Sequence, residues 1–292
     1  MLNSTMLSQK NLDRLERMCL YDDKYMTVVL GQSIPCTQLV LSIILGNPVH
    51  LVHVQPQQHI VNLNAGGVRG RNAILDIVAF DANGVTYDLE IQVKPNSNLL
   101  KRARYYASMT DVQMLREGVD YELLPEQHVV FVTKTDYYKK AKPQYPFECR
   151  CRHLADEENT GVHITFVNGA HMDDTPLGRL MHDMACANPD KMYYDELAKR
   201  CAFIKRTPQG RQIMTGVFAE IYEEGREEGR EEGREEGLAQ GKETGVNEER
   251  QRIAMQLVQN TDFSIDVIAK CTGMSVASVE NLRMMCAGGE SS

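Results

Sequence analysis

The chain has 292 residues, of which 42% are hydrophobic and 25% are charged, and its formal net charge is −8. This composition is ordinary for a globular protein and gives enough length for one sizeable core with additional elements. No apolar run reaches the roughly 18 residues that span a bilayer, and the polar N-terminus lacks the apolar segment of a secretory signal. We therefore expect a cytoplasmic protein with no membrane partner.

The N-terminal part of the chain predicts helices followed by short strands. One helix is predicted over residues 12–30, although the acidic pair Asp22 and Asp23 also allows two shorter helices. A second helix is predicted over residues 36–45, before the helix-breaking sequence Gly46-Asn47-Pro48. Strands are predicted over residues 49–54 and 59–64, on either side of Pro56.

Residues 73–93 predict two strands joined by a tight turn. Asp76 is the one polar residue in the run 73–80, whereas residues 85–93 alternate between apolar and polar side chains. The alternation places Glu90 and Gln92 on the same face of the second strand. Asn83-Gly84, between the two runs, is typical of a hairpin turn.

Two registers are compatible with this turn. A two-residue loop sets Asp76 opposite Ile91, whereas a three-residue loop with Gly84 in the left-handed region sets Asp76 opposite Glu90 on the same face. Directly opposed Cβ atoms lie roughly 5 Å apart, and carboxylates at that distance repel each other unless a cation lies between them. We favour the second register because it explains an acid within an apolar run, and carboxylate oxygens suit a divalent metal.

The rest of the first half alternates between helices and strands. A helix is predicted over residues 99–116 and strands over 129–133 and 162–168, with a long polar segment at 134–160. This order predicts an α/β protein with a mixed sheet. Cys149, Cys151 and His153 have the spacing of metal ligands, but no second pair accompanies them, so reduced thiols are favoured over zinc.

The C-terminal part is predicted to be helical and highly charged. Helices are predicted over 177–187, 191–206 and 209–224, and then glycine recurs every fourth residue from 225 to 245 in an REEG repeat. Residues 223–250 carry −6 of the total charge of −8, so the remainder is near neutral. Because each interior glycine costs a helix about 1 kcal/mol, we expect a fraying helix or linker, with a dimerisation seam as the alternative.

The tail, residues 248–285, has the outline of a helix-turn-helix. Gly273 falls in the turn and Ser275 is a candidate cap for the second helix. The second helix offers few basic or amide side chains, which favours a small helical pair without base recognition.

The spacing D-x13-E-x-Q at Asp76, Glu90 and Gln92 resembles the active-site hairpin of the PD-(D/E)XK nucleases. The wider sequence resembles the branch known as PD-(D/E)XK family transposases or recombination-promoting nucleases. The stretches that carry this resemblance are LDIVAFDANGVTYDLEIQV, KRARYYASMTDVQMLREGVDYELLPE, VVFVTKTD and, near the N-terminus, DDKYMTVVLG.

The resemblance implies a restriction-endonuclease-like α/β fold, a mixed sheet flanked by helices, with a helical C-terminal extension. We expect a nuclease-like core at 1–170, accessory helices at 171–222, the charged repeat at 223–246 and the helical tail at 247–292. The implied activity is that of a Mg²⁺-dependent deoxyribonuclease that cleaves DNA phosphodiester bonds in recombination or mobile elements.

The resemblance also implies roles for individual residues. Asp76, Glu90 and the backbone carbonyl of Ile91 are the implied metal ligands, and Asp23 is an implied additional acid. Gln92 stands where the motif usually has Lys.

The residue at this last position normally carries positive charge as well as positioning a water. The amide of Gln92 can orient a water but cannot hold a charge or act as a base, and Lys94 is the candidate source of that charge. Arg102 and Tyr105, on the helix that follows, are candidate DNA contacts. Arg102 suits this role because a guanidinium can bind two phosphate oxygens at once.

Two other interpretations remain open. One is a catalytically inactive nuclease fold that binds DNA or protein and forms a homo-oligomer through its charged C-terminal arm. The other is an unrelated α/β protein, in which the two-residue loop would hold Asp76 and Glu90 on opposite faces.

Overall fold

The computed structural model describes residues 7–60, 73–94, 98–115, 118–150 and 159–287. It divides into two compact units, Met1–Phe218 and Ala219–Ser292. The strands are β1 (Leu51–Ile60), β2 (Ala73–Asp81), β3 (Thr86–Gln92), β4 (Gln127–Thr133), β5 (Gln144–Arg150) and β6 (Asn159–Asn168). The helices are α1 (Gln9–Arg17), α2 (Asp23–Val29), α3 (Ile34–Leu45), α4 (Leu99–Met114), α5 (Pro176–Ala185), α6 (Asp195–Arg206), α7 (Pro208–Asn260), α8 (Ile265–Thr272) and α9 (Val276–Ala287).

The first unit is built on a six-stranded mixed sheet with the strand order β1-β2-β3-β4-β6-β5. Strands β1, β2 and β3 are antiparallel neighbours, β3, β4 and β6 run parallel, and β5 is antiparallel to β6. The inner strands β3 and β4 are almost wholly buried, as expected where helices cover both faces of a sheet. The predicted mixed α/β sheet flanked by helices is confirmed.

Helix α4 covers one face of the sheet. Its apolar stripe of Leu99, Ala103, Tyr106 and Ala107 packs with Phe131 of β4 in a single buried cluster. The stripe recurs every three or four residues, which is the period that places side chains on one side of a helix. This packing brings Arg102, which borders the stripe, next to Glu90 of β3.

The N-terminal helices are held in place by α6. Arg200 of α6 donates hydrogen bonds to the carbonyls of Val28 and Val29, at 2.9 and 3.4 Å, where the C-terminus of α2 leaves carbonyls without helical partners. The buried ammonium of Lys205 donates to three carbonyls, including those of Glu16 and Met18, at 2.6–3.0 Å. These bonds fix the orientation of α2, whose first residue is Asp23.

Among the described residues, no single helix is long and apolar enough to cross a membrane. Helices α2 and α3 together reach that length and composition, but they are bent by 107° from each other.

Three sequence predictions about the elements need correction. The single helix predicted over 12–30 is wrong, and the alternative of two shorter helices is confirmed. The chain leaves the first helix at Met18, Asp22 accepts a hydrogen bond from the amide of Cys19 at 2.8 Å, and α2 begins at Asp23. Two strands were predicted on either side of Pro56, but residues 51–60 form one strand, β1. Residues 61–64, the rest of the second predicted strand, lie outside the described residues. Pro56 is tolerated there because β1 is an edge strand.

The third correction concerns the segment 134–160, which was predicted only as a long polar segment. It contains β5, which pairs with β6 as an edge strand. The buried side of this region is aromatic: Tyr138, Tyr145 and Phe147 pack around Phe166 or one another, with ring centroids 4.9–5.8 Å apart. The polar composition reflects the exposed remainder of the segment.

The second unit contains most of α7 with α8 and α9. The charged repeat is helical, and Glu-to-Arg pairs three residues apart, such as Glu223 with Arg226 at 2.7 Å, lie along it. A small core of Ala254, Ile268, Ala269 and Val279 joins the three helices. Gly273 ends α8 with φ 71°, and the hydroxyl of Ser275 accepts a hydrogen bond from the amide of Ser278 at 3.1 Å, which confirms the predicted turn and cap.

Candidate active site

The hairpin of β2 and β3 has the three-residue loop and the register that the sequence favoured. Ile77 pairs with Leu89 and Val78 with Asp88, and the same register continued by one residue sets Asp76 opposite Glu90. Gly84 has φ 86°, a conformation that glycine adopts without a steric cost.

The side chain of Asp81 fixes this loop. Its Oδ1 accepts hydrogen bonds from the amides of Asn83 and Val85, both at 2.9 Å. An aspartate that bonds to the backbone a few residues ahead is a common way to stabilise a turn. The alternative two-residue register is therefore wrong.

The two carboxylates are interlocked with the backbone of the facing strand. Oε1 of Glu90 accepts a hydrogen bond from the amide of Asp76 at 2.8 Å, and Oδ2 of Asp76 accepts one from the amide of Ile91 at 3.0 Å. The paired residues of the two strands end at Ile77 and Leu89. Beyond that pair these side chains satisfy backbone amides, so both acids are held at one point between the strands.

Arg102 of α4 lies against this pair of acids. Its NH2 group donates to Oε2 of Glu90 at 2.9 Å, and its Nε donates to the hydroxyl of Tyr106 at 2.7 Å. The guanidinium also lies over the rings of Tyr106 and Phe131, 4.9 and 5.6 Å from their centroids. Glu90 is fully buried, whereas Arg102 keeps 31% of its side chain exposed. The ion pair therefore has its carboxylate in the interior and part of its guanidinium side chain at the surface.

Asp88 is a third acid on the same side of β3, two residues before Glu90. It is almost fully buried, and neither of its carboxylate oxygens has a hydrogen-bond partner among the described residues. A buried carboxylate without a partner is costly unless it binds a proton or a cation. The sequence analysis did not include Asp88, although the alternation that selected Glu90 and Gln92 puts Asp88 on their face.

The acids raise one another's proton affinity. Burial, together with the charge of Asp23, raises the pKa of Asp76 to about 6, against the opposing effects of the Ile91 amide and Arg102. Burial raises the pKa of Glu90 well above its usual range, and the charges of Asp88 and Asp76 raise it further. The site therefore has more negative charge than Arg102 compensates, which is the electrostatic condition that a cation relieves.

Asp23, at the start of α2, is brought to this site although it is 53 residues from Asp76 in the chain. Its charge is close enough to raise the pKa of Asp76. The helix packing through Arg200 and Lys205 that orients α2 is responsible for this proximity.

The remaining predicted site residues lie around the acids. Gln92 is the half-buried last residue of β3 and follows Glu90 on its face by strand alternation. Lys94 lies beyond the end of the strand and is exposed. Tyr105 is half-buried and packs against the cluster beneath α4. No described contact tests their predicted roles, nor that of the Ile91 carbonyl, and these stay predictions.

A second group able to hold a metal ion, Glu126, His128 and His163, lies elsewhere on the sheet. The sequence does contain a signal for this group, because His128 and His163 each lie at the start of a predicted apolar strand, one residue before Val129 and Ile164. Of the weak zinc candidate at Cys149, Cys151 and His153, the last two residues lie outside the described part of the chain.

The six-stranded mixed sheet flanked by helices has a restriction-endonuclease-like α/β fold. Residues 60–170 match the family model described as PD-(D/E)XK nuclease family transposase. The match confirms the family resemblance over this segment, which contains Asp76, Glu90 and Arg102, and it supports a nuclease-like function associated with mobile elements. Neither the curated proteins nor the solved structures gave a match to the chain.

Proposed function

We propose that the protein is a Mg²⁺-dependent endonuclease that cleaves DNA phosphodiester bonds, acting in the cytoplasm in recombination or on mobile elements. The observation that carries this proposal is the convergence of Asp76 and Glu90 through crossed hydrogen bonds, at 2.8 and 3.0 Å, to each other's strands. The matching family consists of nuclease-related transposases, which makes DNA the expected substrate.

The donor atoms fit Mg²⁺. Asp76 and Glu90 supply carboxylate oxygens, and the carbonyl of Ile91 is a third candidate; Mg²⁺ prefers such oxygen ligands and keeps several waters. When bound, the metal would lower the pKa of a water and neutralise charge on the scissile phosphate. The excess negative charge of Asp76, Asp88 and Glu90 supports this assignment, since a cation is needed to keep these acids ionised together.

The surrounding side chains would position the water and the DNA. Gln92, next along the face of β3, orients a water through its amide, and Lys94 supplies positive charge at the exposed end of the strand. Arg102 holds Glu90 in place and, through its exposed portion, reaches a DNA phosphate. Tyr105, on the same helix, is a further DNA contact, and Asp23 adds an acid beside Asp76.

A second function is supported by two features of the same site. Arg102 already compensates the charge of Glu90 with a 2.9 Å ion pair, and Gln92 lacks the charge of the usual lysine. A fold with these features can bind DNA or protein without cleaving it, and the helical repeat would then serve as a homo-oligomerisation arm. The two functions differ in whether Mg²⁺ causes strand cleavage.

The test is nicking of a supercoiled plasmid by the full chain with and without Mg²⁺. We expect Mg²⁺-dependent nicking that falls at least 100-fold in Asp76→Asn and Glu90→Gln, since each removes a charged ligand. Glu122→Gln, at an exposed glutamate outside the site, is the control and should cleave as the wild type does. Plasmid binding without nicking would favour the inactive module, and nicking that survives both site substitutions would exclude this centre.

A further inference from the structure

Glu126, His128 and His163 lie close together at the start of the parallel strands β4 and β6. His128 of β4 is paired in register with Tyr87 of β3 on one side and with His163 of β6 on the other. The three rings stack in a row, with centroids 5.2 Å apart for Tyr87 and His128 and 4.7 Å apart for His128 and His163. Glu126 immediately precedes β4, and its carbonyl accepts a hydrogen bond from the amide of Thr86 at 2.9 Å.

This group lies on the opposite face of the sheet from the acids. Tyr87 and Glu90 are separated by three residues on one strand, so their side chains point to opposite faces. Phe131, which is paired with Glu90, is likewise three residues from His128. The two sets of side chains cannot share an ion across a sheet with a buried interior.

The distances suit one metal ion. The ligand atoms of Glu126, His128 and His163 all lie within 4.8 Å of one another, and Oε1 of Glu126 is 2.6 Å from Nε2 of His163. Ligands at roughly 2.0–2.2 Å from a tetrahedral ion are about 3.4 Å apart. The distance between Glu126 and His163 is shorter than that value and no separation exceeds 4.8 Å, so rotations of these exposed or half-buried side chains would bring the ligand atoms to the spacing of one ion.

The chemistry of the ligands selects the type of ion. Two imidazoles and one carboxylate suit zinc and similar transition metals, whereas Mg²⁺ prefers oxygen alone. A simple ion pair between Glu126 and His163 accounts for two members of the group but not for the placement of His128 beside them.

We propose that Glu126, His128 and His163 bind a transition-metal ion of the zinc class, with the fourth coordination position open to water. The ion ties the segment before β4 to β6 and stabilises the sheet at the end of its parallel strands. It is independent of the proposed nuclease activity, because it uses other residues on the other face.

The test is a calorimetric titration of the EDTA-treated full chain with Zn²⁺, carried out in the Asp76→Asn background so that the proposed Mg²⁺ centre is disabled. We expect one equivalent of Zn²⁺ that excess Mg²⁺ does not displace. Binding should weaken at least tenfold in His128→Asn and in His163→Asn. His50→Asn, which changes an exposed histidine outside the group, is the matched control and should not alter binding.

Two further variants keep the test decisive. Glu126→Gln changes a side chain that is 48% exposed, so it should fold normally while also weakening Zn²⁺ binding at least tenfold. The pair Cys149→Ser and Cys151→Ser removes the competing thiols and should leave the equivalent in place. The proposal is overturned if no equivalent binds, if the cysteine pair abolishes it, or if His128→Asn and Glu126→Gln both bind Zn²⁺ as the control does.

Discussion

At the scale of single residues, the acids between β2 and β3 determine how the protein responds to pH. The unpartnered Asp88 and the interlocked Asp76 and Glu90 have only Arg102 as a neighbouring cation in their described hydrogen bonds and ion pairs. A stable fold tolerates such a cluster when the acids bind protons or a metal ion. Stability and proton binding are therefore linked at this site, and the proposed metal would be linked to both.

The pH dependence follows from the direction of the pKa shifts. Burial raises the folded-state pKa of Asp76 from 3.8 to about 6, so the folded chain holds this proton more tightly than the unfolded chain does. The resulting stabilisation is complete below the unfolded-state pKa and is lost as the pH rises through the folded-state pKa. We expect the melting temperature of the EDTA-treated protein to fall between about pH 4 and pH 7 and Mg²⁺ to restore part of the loss.

Asp88→Asn should reduce this fall, because the amide has nearly the shape of the acid and cannot ionise. The pKa of Asp88 is raised well above its usual range by burial and by the charge of Asp76, so the substitution removes a group that resists ionisation. Thermal melts at several pH values, with Asp262→Asn at an exposed aspartate as the control, measure the effect. A pH profile of Asp88→Asn identical to that of the wild type would contradict the assignment.

Arg102→Met should destabilise the metal-free protein, since it leaves Glu90 buried without its cation. Removing one partner of a buried pair typically costs about 3 kcal/mol or more. Urea denaturation should show this loss, and combining the change with Glu90→Gln should recover most of it. Arg104→Met, at an exposed position of α4, should change stability little. Equal effects of Arg102→Met and Arg104→Met would show that the ion pair does not stabilise the fold.

At the scale of elements, local patterns predicted the hairpin more reliably than the long helices. The register of β2 and β3 followed from turn chemistry and from one acid in an apolar run, both of which are local features. The break between α1 and α2 combines a local bond, from the amide of Cys19 to Asp22, with a distant one, from Lys205 to the carbonyl of Met18. The edge strand β5 depends on its pairing with β6. Short-range periodicity does not contain those contacts.

The glycine repeat offers a direct test at this scale. Added Cβ atoms at Gly225, Gly229 and Gly233 would meet no heavy atom within 4 Å, so alanine fits at each position. Each substitution should stabilise the helix by about 1 kcal/mol, the difference in helix propensity. Gly84→Ala, at φ 86°, should instead destabilise the hairpin by about 1–2 kcal/mol.

Circular dichroism during thermal unfolding measures both effects. An alanine repeat that loses helicity or self-association would indicate that the glycines are needed for close approach of a second helix. That result would support the dimerisation seam in place of a solvated arm.

At the scale of the whole molecule, the candidate site lies within the first unit. Every residue proposed to bind the metal or DNA belongs to Met1–Phe218, and the second unit has its own small core. The predicted boundaries at residues 170, 222 and 246 stay predictions. The residues of the proposed nuclease site therefore belong to the first unit, and the charged helical repeat belongs to the second.

A chain ending at residue 218 should therefore keep Mg²⁺-dependent nicking. It retains Met214 and Phe218, which are buried in the first unit, and loses the charged repeat and the tail. Sedimentation would show whether removing these segments changes the oligomeric state. A truncated chain that folds and binds Mg²⁺ but does not cleave would show that the arm contributes to the active species.

The sequence by itself determined the hairpin, its register and the pairing of Asp76 with Glu90, because turn residues and strand alternation act between near neighbours. Only the tertiary structure placed Arg102 on Glu90, brought Asp23 towards Asp76 and aligned His128 with His163. These relations depend on how α2 and α4 pack and on the register of parallel strands joined by long connections. They are set by burial of apolar surface across the whole sheet, which no short stretch of sequence encodes.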